Sequence, residues 1–307
     1  MTYFFVSFLV SVIASATPLL LAATGELVTE KSGVLNLGVE GMMLVGAVAA
    51  FAVAHGTGNI MLAVGAAVLA GGTMALIFGF LTLTMLANQI ATGLALTIFG
   101  RGFSALVGAG YVGIAAPTLP KLHLPVVSDV PLIGPVLFGH DALIYFSFAI
   151  LAATSLFLRR THGGLILRAV GDSHNAAHAL GYPVVFIRYV ATVFGGIMAG
   201  LAGAYMSLSY SPLWAQDMTA GRGWIALALV VFAAWRPLWL LVGAYLFGGI
   251  MYLSLYVQGL GIPIPSPLVS TLTYIVTIIV LVIISRDVRR IRLNQPASLG
   301  KSFHATA

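Results

Sequence analysis

Nine apolar runs divide the chain, at about 3–23, 34–55, 60–87, 89–107, 141–158, 186–209, 221–235, 237–257 and 267–285. Most approach the roughly 20 residues that an α-helix needs to cross the hydrocarbon core of a bilayer. No water is available there to bond backbone N–H and C=O groups, so such runs must satisfy those groups internally, as helices. The pattern therefore predicts an all-α fold, a polytopic transmembrane helical bundle of about nine (8–10) membrane helices.

Charge leads to the same class. Only 22 of 307 residues are charged, 14 basic and 8 acidic, or 7%. Soluble domains carry about 25%, and so few charges cannot cover a soluble surface of this size. The net +6 does not mark a nucleic-acid patch, because the basic residues sit in short joints between apolar runs, as cytoplasmic loops of multispanning proteins do. Cysteine is absent, which excludes disulfides, thiolate metal sites and cysteine nucleophiles. The first twenty residues lack the basic start of a cleavable signal and read as the first spanning helix.

The basic joints set an expected topology. The connector 159–188 carries Arg159, Arg160, Arg168 and Arg188 against one acid, Asp172, and the tail carries Arg286, Arg289, Arg290, Arg292 and Lys301. Both are expected in the cytoplasm, together with Arg236 and residues 24–33, while 108–140 and 258–266 lie outside. The chain divides into a transmembrane domain, 1–285, and a basic cytoplasmic tail, 286–307.

Within the first hundred residues the only charges are Glu26, Glu30, Lys31 and Glu40, all inside fifteen positions at the entrance to an apolar run. On a helix from residue 34, Asn36 and Glu40 share one face, and Gly33, Gly38 and Gly41 permit an irregular start and close packing. A carboxylate inside a membrane is costly unless it faces protein or water. Glu40 alone reads as an interfacial carboxylate bonded to nearby backbone or to Lys31; the whole cluster reads as a specialised conformation. Asn88, Gln89 and Thr92 open another run, where they either line a pathway or start a helix at the interface.

Glycine makes up 35 residues, many at helical spacing, as in GVEGMMLVG (38–46) and GGIMAGLAG (195–203). Such positions allow close helix approach in lipid, and the two stretches resemble each other as related halves of a transporter would. In the connector, SHNAAHAL predicts a short helix with Ser173 as N-cap and Gly181 as its stop. Its alanines form a small face suited to a partner's groove.

Other polar residues have plainer readings. Arg101 is expected to pair with a carboxylate or carbonyls, and Asp217 and Arg222 either to pair with each other or to contact an outer partner. Trp214, Trp224, Tyr252 and Tyr256 are expected in interfacial belts rather than stacked on a base. His174 and His178 lack further ligands, so no metal site is expected. Gly300-Lys301-Ser302 is not a nucleotide loop, because Gln295 stands where its first glycine belongs.

TEKSGVLNLGVEGMMLVGA (29–47), RAVGDSHNAAHALG (168–181) and the following GLAGAYMSL (200–208) strongly resemble integral-membrane permeases of bacterial ABC importers. The closest group is the ribose-type permeases, and within it the branch associated with nucleoside uptake. The resemblance implies a pathway shared with a second, homologous permease subunit, most often in a heterodimer, and an ATPase subunit bound at the cytoplasmic face. It also implies an extracytoplasmic solute-binding protein and residence in the inner (plasma) membrane. It makes 159–188 the coupling loop, with Gly171, Asp172, Ala176, Ala177 and Gly181 at the ATPase contact, and Asn175 where a Glu often stands. Asn36, Glu40, Asn88, Gln89 and Thr92 are the candidate pathway residues. The implied chain is not an enzyme and holds no cofactor, since ATP binds the partner; the rival reading is a proton-coupled secondary transporter using Glu40.

Overall fold

A computed structural model describes residues 2–115, 117–122, 133–259 and 294–304, together with positions 271, 275, 278, 279 and 282. The described chain is helical: α1 (Thr2–Lys31), α2 (Val39–Thr57), α3 (Ile60–Gly79), α4 (Gln89–Gly108), α5 (Ile133–Phe138) and α6 (Ala142–Arg160) come first. Then follow α7 (His162–Asp172), α8 (His174–Ala179), α9 (Val184–Tyr205), α10 (Arg222–Phe232) and α11 (Pro237–Gly259). Short π-helical turns extend α3 over Phe80–Thr84 and α9 over Met206–Tyr210. Among the described residues, β-pairing is limited to isolated bridges such as Val112 with Trp214.

Seven of these helices are long and apolar enough to cross a membrane, α1, α2, α3, α4, α6, α9 and α11. The count of nine is therefore not reached among the described residues. The run 221–235 forms only the 11-residue α10, about 16 Å long at 1.5 Å per residue, or half a bilayer. The run 267–285 and the arginines at 286–292 fall almost wholly outside the described residues. The first span is longer than its apolar run, because Glu26 and Glu30 are buried inside α1 rather than ending it.

The core is built on α1 and α9, which pack on each other and, through α9, on α2 and α3. Small residues make this possible, since helices in lipid are held by close packing rather than by water exclusion. A β-carbon on Gly200 would collide with the Ala67 carbonyl and crowd Gly71, and one on Gly46 would meet the Gly200 backbone. Three helices thus cross at Gly200 with backbone in contact. Thr29 Oγ1 adds a bond to the Ala191 carbonyl at 3.2 Å across the α1–α9 seam. The two glycine-rich stretches that resemble each other face one another here.

Gly200→Leu is expected to prevent correct packing. Overfilling a core costs roughly 1–3 kcal/mol when side chains can shift, and a backbone carbonyl has less freedom to do so. The thermal midpoint of the detergent-solubilised protein should drop sharply or its folded yield vanish. A wild-type melting curve would show that α2, α3 and α9 do not cross at this point.

The joints with basic residues gather at one end. Glu30 on α1 accepts from the Trp235 indole at 2.5 Å, beside Arg236. Lys31 reaches the Asn294 carbonyl at 2.6 Å, and Ser298 N–H bonds the Gly171 carbonyl at 2.9 Å. At the opposite end Asp141 caps α6 and accepts from Ser209 at 2.6 Å, beside the bridge from Lys121.

Candidate functional site

The stretch 32–38 breaks the chain between α1 and α2 while remaining buried or nearly so. Its exposed backbone groups would be costly in a membrane unless side chains replaced the missing helical bonds. They do. Gln89 Oε1 accepts from Leu35 N–H at 2.8 Å, Glu26 Oε1 from Asn36 N–H at 3.2 Å, and Asn36 Oδ1 from Gly38 N–H at 2.9 Å. Thr97 donates to the Leu37 carbonyl at 3.0 Å. Gly33 turns the chain at φ +90°, a left-handed geometry that favours glycine.

Asn36 and Gln89 are 0% and 3% exposed, so both shape the break rather than present a surface. Asn36 belongs to this turn, and α2 begins only at Val39. Asn88 caps α4 by accepting from Ala91 N–H at 3.0 Å, the helix-start role. Thr92 lies nine residues before Arg101, which places it about 180° around α4 from that side chain.

Glu40 stands in the first turn of α2, yet its carboxylate serves a second helix. Oε1 accepts from Thr219 Oγ1 at 2.6 Å and Gly221 N–H at 2.9 Å, and Oε2 from Gly223 N–H at 2.6 Å. The N-cap residue of α10, Gly221, supplies no side-chain cap. Glu40 supplies it instead, where two helix N-termini present positive dipole ends and unsatisfied N–H groups. The loop that aims these groups is tightly wound: Asp217 and Ala220 hold φ of +56° and +48° and Gly221 +81°. Such strain in non-glycine residues persists only where surrounding structure fixes it.

Next to this cap lies an ion pair in the middle of a span. Arg101 Nε and Nη2 bond the two Asp217 carboxylate oxygens at 3.0 and 2.6 Å, with the side chains 58% and 43% exposed. A charged pair at that depth faces protein or a water-filled space rather than lipid. Arg101 thus has the expected carboxylate partner. Asp217 does not pair with Arg222, whose buried guanidinium bonds the Thr219 carbonyl at 3.2 Å and stacks over Tyr210 at 5.2 Å.

At the basic end, α8 forms as expected, with Ser173 Oγ accepting from Ala176 N–H at 3.3 Å and Gly181 turning at φ +86°. Burial divides the coupling candidates on and around it. Asp172, Ala176 and Gly181 are exposed, while Gly171 and Ala177 are buried against the chain itself. Ala177 packs with Val170, Val184 and Phe303, and the His174 and His178 rings flank Phe303 with centroids 5.3 Å away.

Arg188 binds this end together. It is 1% exposed and donates from Nε to the Ser32 carbonyl at 3.2 Å and from Nη1 to the Lys301 carbonyl at 3.0 Å. Its Nη2 lies 3.2 Å from His174 Nδ1. Burial, then the charges of Arg188 and Lys301, holds His174 below the usual histidine range. The neutral ring thus accepts this bond. One cation joins the start of α9, the α1–α2 break, α8 and the tail.

Neither Arg188 nor the tail segment 294–304 stood out in the sequence. Arg188 was one of several connector arginines, and Leu299 and Phe303 were the apolar signals that the tail had a place to pack. Trp214, expected at an interface, is buried against Phe51 with ring centroids 6.1 Å apart.

Seven apolar spans, a buried break, a half-length helix and an ion pair in mid-span make up a polytopic membrane protein. The chain belongs to the family described as branched-chain amino acid transport system / permease component, whose model matches residues 8–285. It is similar to the putative glucose ABC transporter permease protein TsgC13 of Haloferax volcanii, 40% identical over 95% of each chain. It is also similar to the guanosine ABC transporter permease protein NupQ of Bacillus subtilis, at 29% identity over 87% of this chain and 88% of the relative. The nucleoside ABC transporter permease protein NupC of Lactococcus lactis is 28% identical over the same shares. No solved structure is detectably similar. The protein is therefore a multi-pass membrane permease of an ABC importer, from a family found in bacteria and archaea.

Proposed function

We propose that this permease forms one half of the translocation pathway for a neutral, ring-bearing polar solute, a nucleoside first and a simple sugar second. A second, related permease completes the pathway, separate ATPases bind α8 and the rest of the basic, cytoplasmic end, and an outer binding protein delivers the solute. The observation that carries this reading is the half-exposed Arg101–Asp217 pair beside the capped N-terminus of α10. It marks a polar face where the bundle would otherwise meet lipid, and its charges neutralise each other, which suits an uncharged solute. The named relatives divide between glucose and nucleosides, both within that description. Against the proton-coupled alternative, the Glu40 oxygens already hold three donors in place.

The test is uptake of labelled guanosine or adenosine by the complex reconstituted with its ATPases and binding protein. Uptake should require ATP, survive collapse of the proton gradient, and cease with an ATPase-dead partner. Uptake driven by a proton gradient in the chain alone would overturn the mechanism. Uptake of glucose with indifference to nucleosides would overturn only the order of substrates.

A further inference from the structure

A groove of about 260 Å³ lies between α1, α6, α7 and α9, walled by Val28, Ile150, Phe157, Leu167, Val190 and Phe194. Its wall is almost wholly hydrocarbon, and Phe157 and Val190 leave it open to the outside of the bundle. Ile150, Ala153, Thr154 and Phe157 form one stripe along α6, and the next position on that stripe is Arg160. Arg159 and Arg160 end α6 exposed. The ion pair found among the described residues is Arg101–Asp217, so neither arginine is held by a carboxylate there.

We propose that this groove binds one hydrocarbon chain of an anionic phospholipid of the cytoplasmic leaflet, with the phosphate held by Arg160. An apolar slot that ends at a free cation matches both parts of such a lipid, and cytoplasmic leaflets attract basic segments, here with Arg159 adding charge at the same helix end, at headgroup depth. Leu165 on α7 and Phe186 at the start of α9 are exposed apolar residues at the same end of the bundle. The second permease is the weaker occupant. Arg101, the partner of Asp217, is on α4, which packs on α2, whereas α6 packs on α1, α7 and α11. The groove is therefore off the polar face. A bound chain would brace Leu167 and Val28, one on the helix before α8 and the other just before the break.

This inference rests on the membrane fold and is independent of the solute carried. The full chain, purified with its ATPase partner in mild detergent, is examined by native mass spectrometry with lipid extraction. About one anionic phospholipid per permease is expected to remain. Ala153→Trp, which fills the slot, and the double substitution Arg159→Gln with Arg160→Gln should each lower that retention at least fivefold. Leu69→Trp, on an exposed face of α3, should leave it unchanged. Retention unaffected by the arginine pair, or equal loss of anionic and zwitterionic lipid, overturns the proposal. So does a disulfide between two copies of this chain carrying Val190→Cys, which would make the groove an interface between copies; the chain has no other cysteine to confuse that result. Should Ala153→Trp fail to fold, the arginine pair, on an exposed helix end, decides alone.

Discussion

Glu40→Leu is expected to abolish uptake while the protein still reaches the membrane. The substitution leaves Thr219 Oγ1 and the N–H groups of Gly221 and Gly223 without an acceptor. Hydrogen bonds to a charged group contribute about 1.5–3 kcal/mol each. The loop Asp217–Gly221 is already strained, and without Glu40 only backbone packing at Gly223 holds α10 to the start of α2. A loss of roughly 3 kcal/mol from the competent arrangement corresponds to about a hundredfold at 1.4 kcal/mol per decade. Uptake into ATP-loaded vesicles, normalised to permease content, should fall by at least that factor. Glu40→Gln keeps one acceptor oxygen and turns an amide N–H₂ against the other donor, so it should retain part of the activity. That graded result separates a cap from a proton carrier, for which glutamine would be as damaging as leucine. Normal uptake by Glu40→Leu would show that the junction of α2 and α10 is dispensable.

The bundle was legible because lipid makes a simple demand. Apolar runs of crossing length had to be helices, and seven of them are. The break was legible too, from Gly33, Asn36 and Gly38 placed among charges that a plain span would not contain. The partners of those charges were not. Glu40 meets Thr219, Gly221 and Gly223, about 180 positions away, and nothing local announces such a meeting. A similar distance hid the reason for Glu30, which holds the Trp235 indole, while Glu26 holds the break only ten positions on; both are buried in a helix that continues past the end of the apolar run. The run 221–235 looked like a crossing because composition records hydrophobicity, whereas the turn that ends α10, with Ala234 and Trp235 at φ of +46° and +54°, is a matter of backbone geometry. On α8 the helix and its stop followed from Ser173 and Gly181. Which alanine faces outward depends on Phe303, a residue about 126 positions further on.

That packing leads to the second large effect, at Arg188. Arg188→Met keeps much of the side-chain volume and removes every donor, leaving the carbonyls of Ser32 and Lys301 and the His174 ring without their bonds. The exposed face of α8, with Asn175 and Ala176, and the exposed Asp172 just before it are untouched, so the ATPase should still bind. What is lost is the rigid link from α8 to the break that leads to Glu40. ATP hydrolysis by the complex should persist while ATP-driven uptake falls by about tenfold or more, as expected for the loss of bonds worth about 1.5 kcal/mol or more. Truncation before Pro296 removes Lys301 and Phe303 and should give the same separation. Acid should reproduce it in part. His174 is held below the usual histidine range, so its bond to Arg188 is fully present above that range and is lost as pH falls through the lowered value. The pH dependence should disappear in His174→Asn, whose amide oxygen can accept from Arg188 without titrating. If Arg188→Met lowered hydrolysis and uptake in equal proportion, the cation would be needed only for assembly. If both stayed normal, α8 would transmit its motion by another route.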